Sequence, residues 1–405
     1  MSSSKPAAET LGTTFNKIWS AAMVSKFADG LVGAAIPLLA ASLTRDPVLI
    51  AIQSNMIMLP WLLFAIPLGA LLDRLNRRFV MLLVQLTRVL IGATIAELII
   101  TNNITLWALM LLTFIFGVSE VVYDTATQST IPSLLKGHQL ERGNSRMQIA
   151  DTVMQSFVGV PLGAFIYAIY SYLPFVGIAC FYVIAIGLVT SISKTAMQDD
   201  DSYNLARPAL KTEIIEGLKY LWNDKVLFRL VLATGSVGFF YAMGQSTLVL
   251  FILDHLHVSE ALYGWVMVPL AIGSLVGAFA SPKLSARFGR SKALSYSLPG
   301  ASIALLAAGL SPNVYFFMIA STFHGFFIAQ WNILLMSTYH GMIPNEIFGR
   351  IHGTRRTLVW GLMPIAGLIG GLLGRIDITL PMIVGGVGAV IIAVSQSKFI
   401  RSIRS

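Results

Sequence analysis

Long apolar runs separated by short polar segments dominate the chain. A helix needs about 20 mostly apolar residues to cross the hydrocarbon core of a bilayer, and these runs reach that length. The pattern therefore predicts an all-α integral membrane protein. Its twelve predicted spans are 17–42, 47–72, 79–101, 104–124, 145–170, 174–193, 226–252, 260–282, 292–310, 312–339, 355–375 and 378–397.

The longest polar connection, residues 194–225, divides the spans into six and six. Within it, Leu210, Ile214, Leu218 and Leu221 recur at helical spacing, which predicts an amphipathic helix on the membrane surface. The predicted parts are a tail at 1–16, a six-helix bundle at 17–193, the linker at 194–225, a second six-helix bundle at 226–397 and a tail at 398–405.

Composition supports the membrane assignment, because 56% of the residues are hydrophobic and only 12% are charged, against about 25% charged in soluble domains. The net charge of +9 comes mainly from Lys and Arg in one alternating set of loops, which argues against a nucleic-acid surface. The bias predicts that these loops and both termini are cytoplasmic. The polar segment from Met1 to Asn16 lacks the pattern of a cleaved signal peptide.

A motif after the second span and a repeat between the halves point to a known family. The motif Gly-x-Leu-x-Asp-Arg-x-x-Arg-Arg is matched by Gly69, Leu71, Asp73, Arg74, Arg77 and Arg78. A basic segment at 287–292 occupies the corresponding place in the second half. The chain resembles the major facilitator superfamily, which implies two pseudo-symmetric six-helix halves and transport by alternating access.

The resemblance implies that Asp73 and the neighbouring arginines belong to a cytoplasmic gate, in which Asp73 pairs with Arg355 or Arg356 at the start of span 11. A carboxylate at a helix C-terminus is disfavoured by the helix dipole, so Asp73 needs a positive partner. The alternative is that this motif only fixes the topology.

A narrower resemblance is to the bacterial branch that contains macrolide-efflux and enterobactin-exporter proteins. It is carried by the segments Ser25–Asp29, Glu120–Pro132 and Trp360–Pro364. It implies export of a small amphiphilic molecule across the bacterial cytoplasmic membrane. The antiporter motif of the family is partly matched in span 5 by Gly159, Pro161 and Gly163, for which close helix packing is the alternative.

Charged residues inside predicted spans are the main candidates for mechanism, because charge at mid-bilayer is costly. Asp29 is the first candidate for proton coupling, and Glu120 and Asp124 follow. Lys26 and Arg88 are their candidate charge partners. Lys26 and Asp29 share a helix face, so a permanent ion pair is the alternative. For Glu120 and Asp124, the alternative is a contact with cytoplasmic arginines.

Polar and aromatic side chains within the spans are candidates for a cavity wall, with ordinary packing as the alternative for each. They are Tyr123, Gln155, Tyr241, Gln245, His324 and Asn332. His324 is distinguished by an imidazole that titrates near neutral pH. The sequence contains no phosphate-binding loop, convincing metal-ligand cluster or catalytic triad, and Cys180 is the only cysteine. We therefore expect no cofactor, no metal and no enzymatic activity.

The favoured hypothesis is a monomeric secondary transporter that couples export of a small molecule to protons. An importer or a lipid flippase on the same fold is one alternative. A non-transporting membrane scaffold or a membrane-embedded enzyme is an alternative of another class.

Overall fold

The computed structural model describes residues 11–64, 76–135, 150–192, 219–343 and 359–403, with a few single residues between these ranges. Throughout these ranges the regular elements are helical. The helices are α1 Thr13–Leu43, α2 Pro47–Met56, α3 Arg77–Ile100, α4 Leu106–Leu134, α5 Val160–Ile169, α6 Leu173–Thr190, α7 Lys225–Gln245, α8 Glu260–Phe288, α9 Arg290–Gly309, α10 Val314–Met342, α11 Met363–Ile376 and α12 Leu380–Ser402.

Two segments are wound as π-helices, in which the hydrogen bond runs from residue i to residue i+5. Ala150–Gly159 precedes α5 directly, and Phe251–His255 follows α7 after a short turn and the helical segment Leu248–Leu250. Pro161 lies at the start of α5 and has no N–H to donate, so an α-helix could not continue unchanged through it. The wider winding before Pro161 accommodates the missing bond.

Ten helices in the described ranges are long and apolar enough to cross a membrane. The all-helical membrane fold is thereby confirmed, whereas the count of twelve spans is supported for ten. The predicted second span is described only as far as residue 64. The ninth, α9, is rich in serine, and Ser295, Ser297 and Ser302 are buried against protein, so this helix needs less apolar surface.

Side-chain caps define where several helices begin. The carboxylate of Asp224 accepts from the N–H groups of Val226 and Leu227, and Asn313 accepts from Phe316. Such caps satisfy N–H groups that have no partner within the helix. Of the predicted amphipathic helix, only the last turn lies in the described ranges, where Leu221 is buried and Trp222 is exposed.

Helices of the first six pack mainly on one another, as do those of the last six. In the first group α1 contacts α5 and α6, and α3 contacts α4 and α6. In the second, α10 contacts α8 and α9, and α12 contacts α7 and α9. Within the described ranges, the most extensive contacts between the two groups are those of α2 with α11 and of α5 with α8.

The crossing of α1 and α5 brings two backbones together at Gly163. A Cβ atom on this residue would lie 2.8 Å from both the Cα and the carbonyl oxygen of Leu31. Gly163→Ala should therefore lower the melting temperature of the purified protein, by an amount that corresponds to about 1–3 kcal/mol of overpacking. Thermal unfolding in detergent measures the effect.

Gly187 offers a matched control on α6, because a Cβ atom there would meet nothing within 4 Å. Gly187→Ala should leave the melting temperature unchanged or raise it slightly, since alanine favours helix by about 1 kcal/mol over glycine. Equal melting temperatures for the two variants would show that the α1–α5 crossing tolerates the methyl group.

Candidate functional site: a charge cluster within the first six helices

Lys26 and Asp29 lie on one face of α1, three residues apart, with their charged atoms 3.5 Å from each other. The Lys26 side chain is 11% exposed and that of Asp29 is 3% exposed. Both charges are thus removed from bulk solvent by the helices that pack around α1. A buried charge needs compensating partners, and three other helices supply them.

Asp29 is held by α3 and α6 as well as by Lys26. Nη1 of Arg88 lies 3.2 Å from its Oδ1 atom, and the hydroxyl of Tyr182 donates to the same oxygen at 2.5 Å. Tyr182 and Arg88 are both completely buried. Asp29 is therefore the centre of a closed ion-pair network that ties α1, α3 and α6 together.

Arg88 is enclosed by α4 on its other side. Its Nε donates to Ser119 Oγ at 3.0 Å, and its guanidinium carbon lies 5.0–5.3 Å from the ring centroids of Phe116, Tyr123 and Tyr182. Aromatic faces attract a cation at such distances. Tyr123, a predicted cavity residue, thus lies against the cluster. Within the described residues, Nη2 of Arg88 has no hydrogen-bond partner.

Lys26 connects this buried network to more exposed carboxylates. Its Nζ lies 3.7 Å from Asp124 on α4 and 3.2 Å from Asp151 in the π-helical segment. The Asp124 side chain is 26% exposed and that of Asp151 is 43% exposed. The cluster therefore runs from the fully buried Arg88 to the accessible Asp151.

Glu120 is the carboxylate of the cluster without a direct partner. It lies on α4, is half-buried, and is within electrostatic reach of Lys26, Asp29, Arg88 and Asp124. Among the described residues its carboxylate makes no ion pair within 4.0 Å and no hydrogen bond. The cluster then contains two cations, Lys26 and Arg88. Its four carboxylates are Asp29, Glu120, Asp124 and Asp151.

The predicted charged residues lie together in one cluster, which consists of Lys26, Asp29, Arg88, Glu120 and Asp124 with Asp151 added by the structure. Tyr182 and Ser119 were not among the sequence candidates, because a lone tyrosine or serine in an apolar span carries no signal of its own. Gln155 is half-buried in the same π-helical segment as Asp151.

The other cavity candidates lie in the last six helices. The rings of Tyr241 on α7 and His324 on α10 are stacked, with centroids 5.3 Å apart and planes inclined by 8°. Nδ1 of His324 lies 2.8 Å from the carbonyl oxygen of Ala301, which can only accept, so this nitrogen carries the proton. Gln245 is half-buried, and Asn332 is exposed.

Most of the predicted cytoplasmic gate lies outside the described residues. Gly69, Asp73, Arg74 and Arg356 are not described, and only the backbone of Arg77 is described. Arg78 donates from Nη2 to the carbonyl oxygen of Thr190 at 2.6 Å. The guanidinium of Arg355 lies 4.8 Å from the centroid of the Tyr339 ring. The gate therefore stays a prediction.

The partial antiporter motif lies where α1 meets the fifth span. The π-helical segment ends at Gly159, and a Cβ atom on this residue would lie 2.7 Å from the Cα of Gly30. Together with Pro161 and Gly163, this residue sets the close approach to α1 next to Asp29. These contacts give the motif a packing role, and its part in exchange stays a prediction.

Comparison with known proteins identifies the class of this membrane protein. Residues 18–368 match the Major Facilitator Superfamily, and the chain belongs to this family of transporters. Macrolide efflux protein A of Streptococcus pyogenes is 20% identical over 361 residues, which cover 88% of each chain. Multidrug efflux pump Tap of Mycolicibacterium fortuitum is 22% identical over 356 residues, covering 82% of this chain and 84% of that relative.

Solved structures share the fold. A bacterial homologue of the iron transporter ferroportin, solved in an inward-facing state, superposes with a TM-score of 0.77 at 14% identity. The match covers 98% of this chain and 100% of that one. The predicted resemblance to the superfamily and to the macrolide-efflux branch is therefore confirmed.

Proposed function

We propose that this transporter exports a cationic amphiphilic molecule in exchange for protons, by alternating access between six-helix halves at 17–193 and 226–397. The efflux relatives support the direction of transport, because the match extends over most of both chains. The charge cluster supports the coupling and the charge of the substrate.

The observation that carries the proposal is the excess of carboxylates over cations. Counting the described residues with all groups ionised, the two cations and four carboxylates leave two uncompensated negative charges in a partly buried site. Burial penalises a charge that has no partner. One proton or one organic cation relieves the same excess. Binding of either should therefore displace the other, and this competition would couple export of the cation to entry of the proton.

We assign the exchanged proton to Glu120 rather than to Asp29. Protonation of Asp29 would weaken its contacts with Lys26, Arg88 and Tyr182, which together hold three helices. Glu120 has no such contact to lose among the residues that the structure describes. When it is ionised, the free Nη2 of Arg88 on the neighbouring helix is an available donor, so a small side-chain movement can follow loss of the proton.

Glu120 and Asp124 also face each other along α4. Two like charges at this spacing repel, so a cation that binds between them is favoured. Asp124 and Asp151 lie on the accessible side of Lys26 and offer a cationic substrate its first contacts. Glu120 lies further into the cluster and completes the exchange.

We place the Lys- and Arg-rich loops and both termini in the cytoplasm, on the bias of basic residues between loops. Cysteines introduced at Ser2 and at Ser405 in a Cys180→Ser background should react with an impermeant maleimide only after the cells are permeabilised. Reaction at either position in intact cells would reverse this orientation.

The membrane potential contributes to such exchange only when net charge moves across the bilayer. Each proton that moves inward across about 100 mV releases about 2.3 kcal/mol. This free energy corresponds to roughly a forty-fold concentration gradient per net charge moved. A monovalent cationic substrate needs more than one proton to exploit the potential, and with one proton only the pH difference drives export.

Proteoliposomes with an imposed pH gradient test the proposal. Vesicles with an acidic lumen should accumulate ethidium, a permanently charged amphiphile, as protons leave through the transporter. A neutral amphiphile of similar size should not accumulate. Accumulation driven only by an alkaline lumen would instead identify a symporter that imports. Movement of a fluorescent phospholipid between leaflets, without ethidium transport, would identify a lipid flippase.

A further inference from the structure

Four charged residues join the two groups of helices at the end of the bundle opposite the Lys- and Arg-rich loops, which we call the outer end. Nη1 of Arg45 lies 2.8 Å from Oδ1 of Asp254. Nε of Arg375 lies 2.9 Å from Oδ1 of Asp46, and its Nη2 contacts the second carboxylate oxygen of Asp46. Arg45 and Asp46 both belong to the turn between α1 and α2.

The turn that carries Arg45 and Asp46 is fixed at both ends. The N–H of Thr44 donates to Ala40 as α1 ends, and Asp46 accepts from Val48 as α2 begins. The N–H of Asp46 donates to Thr44 Oγ1 at 3.1 Å. Two consecutive residues of one ordered turn thus reach two different helical segments of the other group, one after α7 and one at the end of α11.

The helices beneath these ion pairs are in direct contact. A Cβ atom on Gly371 of α11 would lie 2.9 Å from the Cα of Val48 on α2. Further along, Nδ2 of Asn55 donates to the carbonyl oxygen of Pro364 at 2.9 Å. The outer end is therefore closed along α2 and α11, beneath the two ion pairs.

We infer that Arg45–Asp254 and Asp46–Arg375 form a two-part charge latch that holds the outer end closed and sets how often it opens. Because both pairs are anchored in one turn, movement of this turn away from α7 and α11 breaks them together. The turn supplies one cation, Arg45, and one anion, Asp46. The two pairs cannot swap partners, because Arg45 would then face Arg375 and Asp46 would face Asp254.

The exposure of the latch determines how it can be opened. The Arg45, Asp254 and Arg375 side chains are about half exposed, and Asp46 is 29% exposed. The Arg375 guanidinium also keeps the pKa of Asp46 below its usual value, so this carboxylate is ionised at neutral pH. Salt screens exposed charges, with a Debye length of about 10 Å at 0.1 M and about 3 Å at 1 M. High ionic strength at the outer end should therefore favour opening.

Distances between spin labels at Asn103 and Pro312 can report the opening. Both residues are exposed in connections at the outer end, one in each group of helices. In the Cys180→Ser background, pulsed electron paramagnetic resonance should show the separated population rising about two- to fivefold in Arg45→Gln and in Asp254→Asn. Asp46→Asn should give a similar rise while keeping the helix cap, because asparagine caps as well as aspartate.

Two further variants separate the latch from a general effect of charge. The swap Arg45→Asp with Asp254→Arg should restore the original distance distribution. Glu97→Gln, which removes an exposed carboxylate on α3, should change nothing. Unchanged populations in the single variants, or a swap that fails to restore closure, would overturn the latch.

The dependence of opening on salt provides a second test, which begins with the protein that keeps all four charged residues. Raising NaCl from 0.1 M to 1 M should increase the separated population in the labelled protein that keeps all four charged residues. The same change should have a smaller effect in Arg45→Gln. An equal salt response in both proteins would overturn the inference. These experiments need no substrate, so their outcome is independent of the proposed exchange.

Discussion

Glu120→Gln is expected to abolish accumulation of ethidium driven by a pH gradient, while exchange of ethidium across the vesicle membrane continues. Glutamine keeps the size of the side chain but cannot lose or gain the proton. The accumulation ratio should fall from several-fold to about one at any imposed gradient. Flux into proteoliposomes with an acidic lumen measures the first property, and counterflow of labelled ethidium at equal pH measures the second.

The comparison with Glu97→Gln makes this result specific. Both substitutions remove one carboxylate from a spanning helix, but Glu97 is exposed on α3 and lies outside the cluster. The control should accumulate ethidium as the original protein does. If Glu120→Gln accumulates ethidium at the original rate, the coupling acid lies elsewhere, and Asp124 and Asp29 are the remaining candidates.

Arg88→Met is expected to destabilise the protein by about 3–5 kcal/mol, the largest stability change foreseen for a single substitution in the cluster. Methionine keeps an unbranched apolar side chain but removes the charge, which leaves Asp29 buried with one cation instead of two. The loss also removes the contact with Ser119 and the cation from between three aromatic rings. Thermal unfolding in detergent, followed by tryptophan fluorescence, measures the change.

A second substitution distinguishes an unpaired charge from lost packing. Adding Asp29→Leu to Arg88→Met removes the carboxylate that was left behind, and should recover much of the lost stability, because well-packed apolar groups can replace a buried ion pair. An Arg88→Met variant as stable as the original protein would show that Asp29 does not depend on Arg88.

The sequence predicted the helices well because each must be apolar along most of its length to lie in lipid. The exceptions have physical reasons. In α9, serines lower the mean hydropathy. They are tolerated there because neighbouring helices rather than lipid surround them. The π-helical winding before α5 depends on Pro161 together with the close contact of Gly159 and Gly30, and only the proline is visible as a local signal.

The members of the charge cluster were also predictable, whereas their roles were not. A charge within an apolar span is conspicuous, and the spacing of Lys26 and Asp29 places them on one face. Which acid lacks a partner depends on contacts between helices distant in the chain. Arg88 and Tyr182 bind the carboxylate of Asp29 from 59 and 153 residues away in the chain. In the part of the chain that the structure describes, neither binds Glu120. No local pattern encodes this choice.

In the proposed exchange, one cluster binds either a proton or a cation. Counting the protons released when ethidium binds measures this competition, in weakly buffered detergent solution at about pH 7 with a pH indicator. Ethidium has no proton of its own to release at this pH, so any release comes from the protein. Up to about one proton should be released per ethidium bound to the original protein, and none from Glu120→Gln. Binding without proton release in the original protein, or equal release in both proteins, would contradict the proposed exchange.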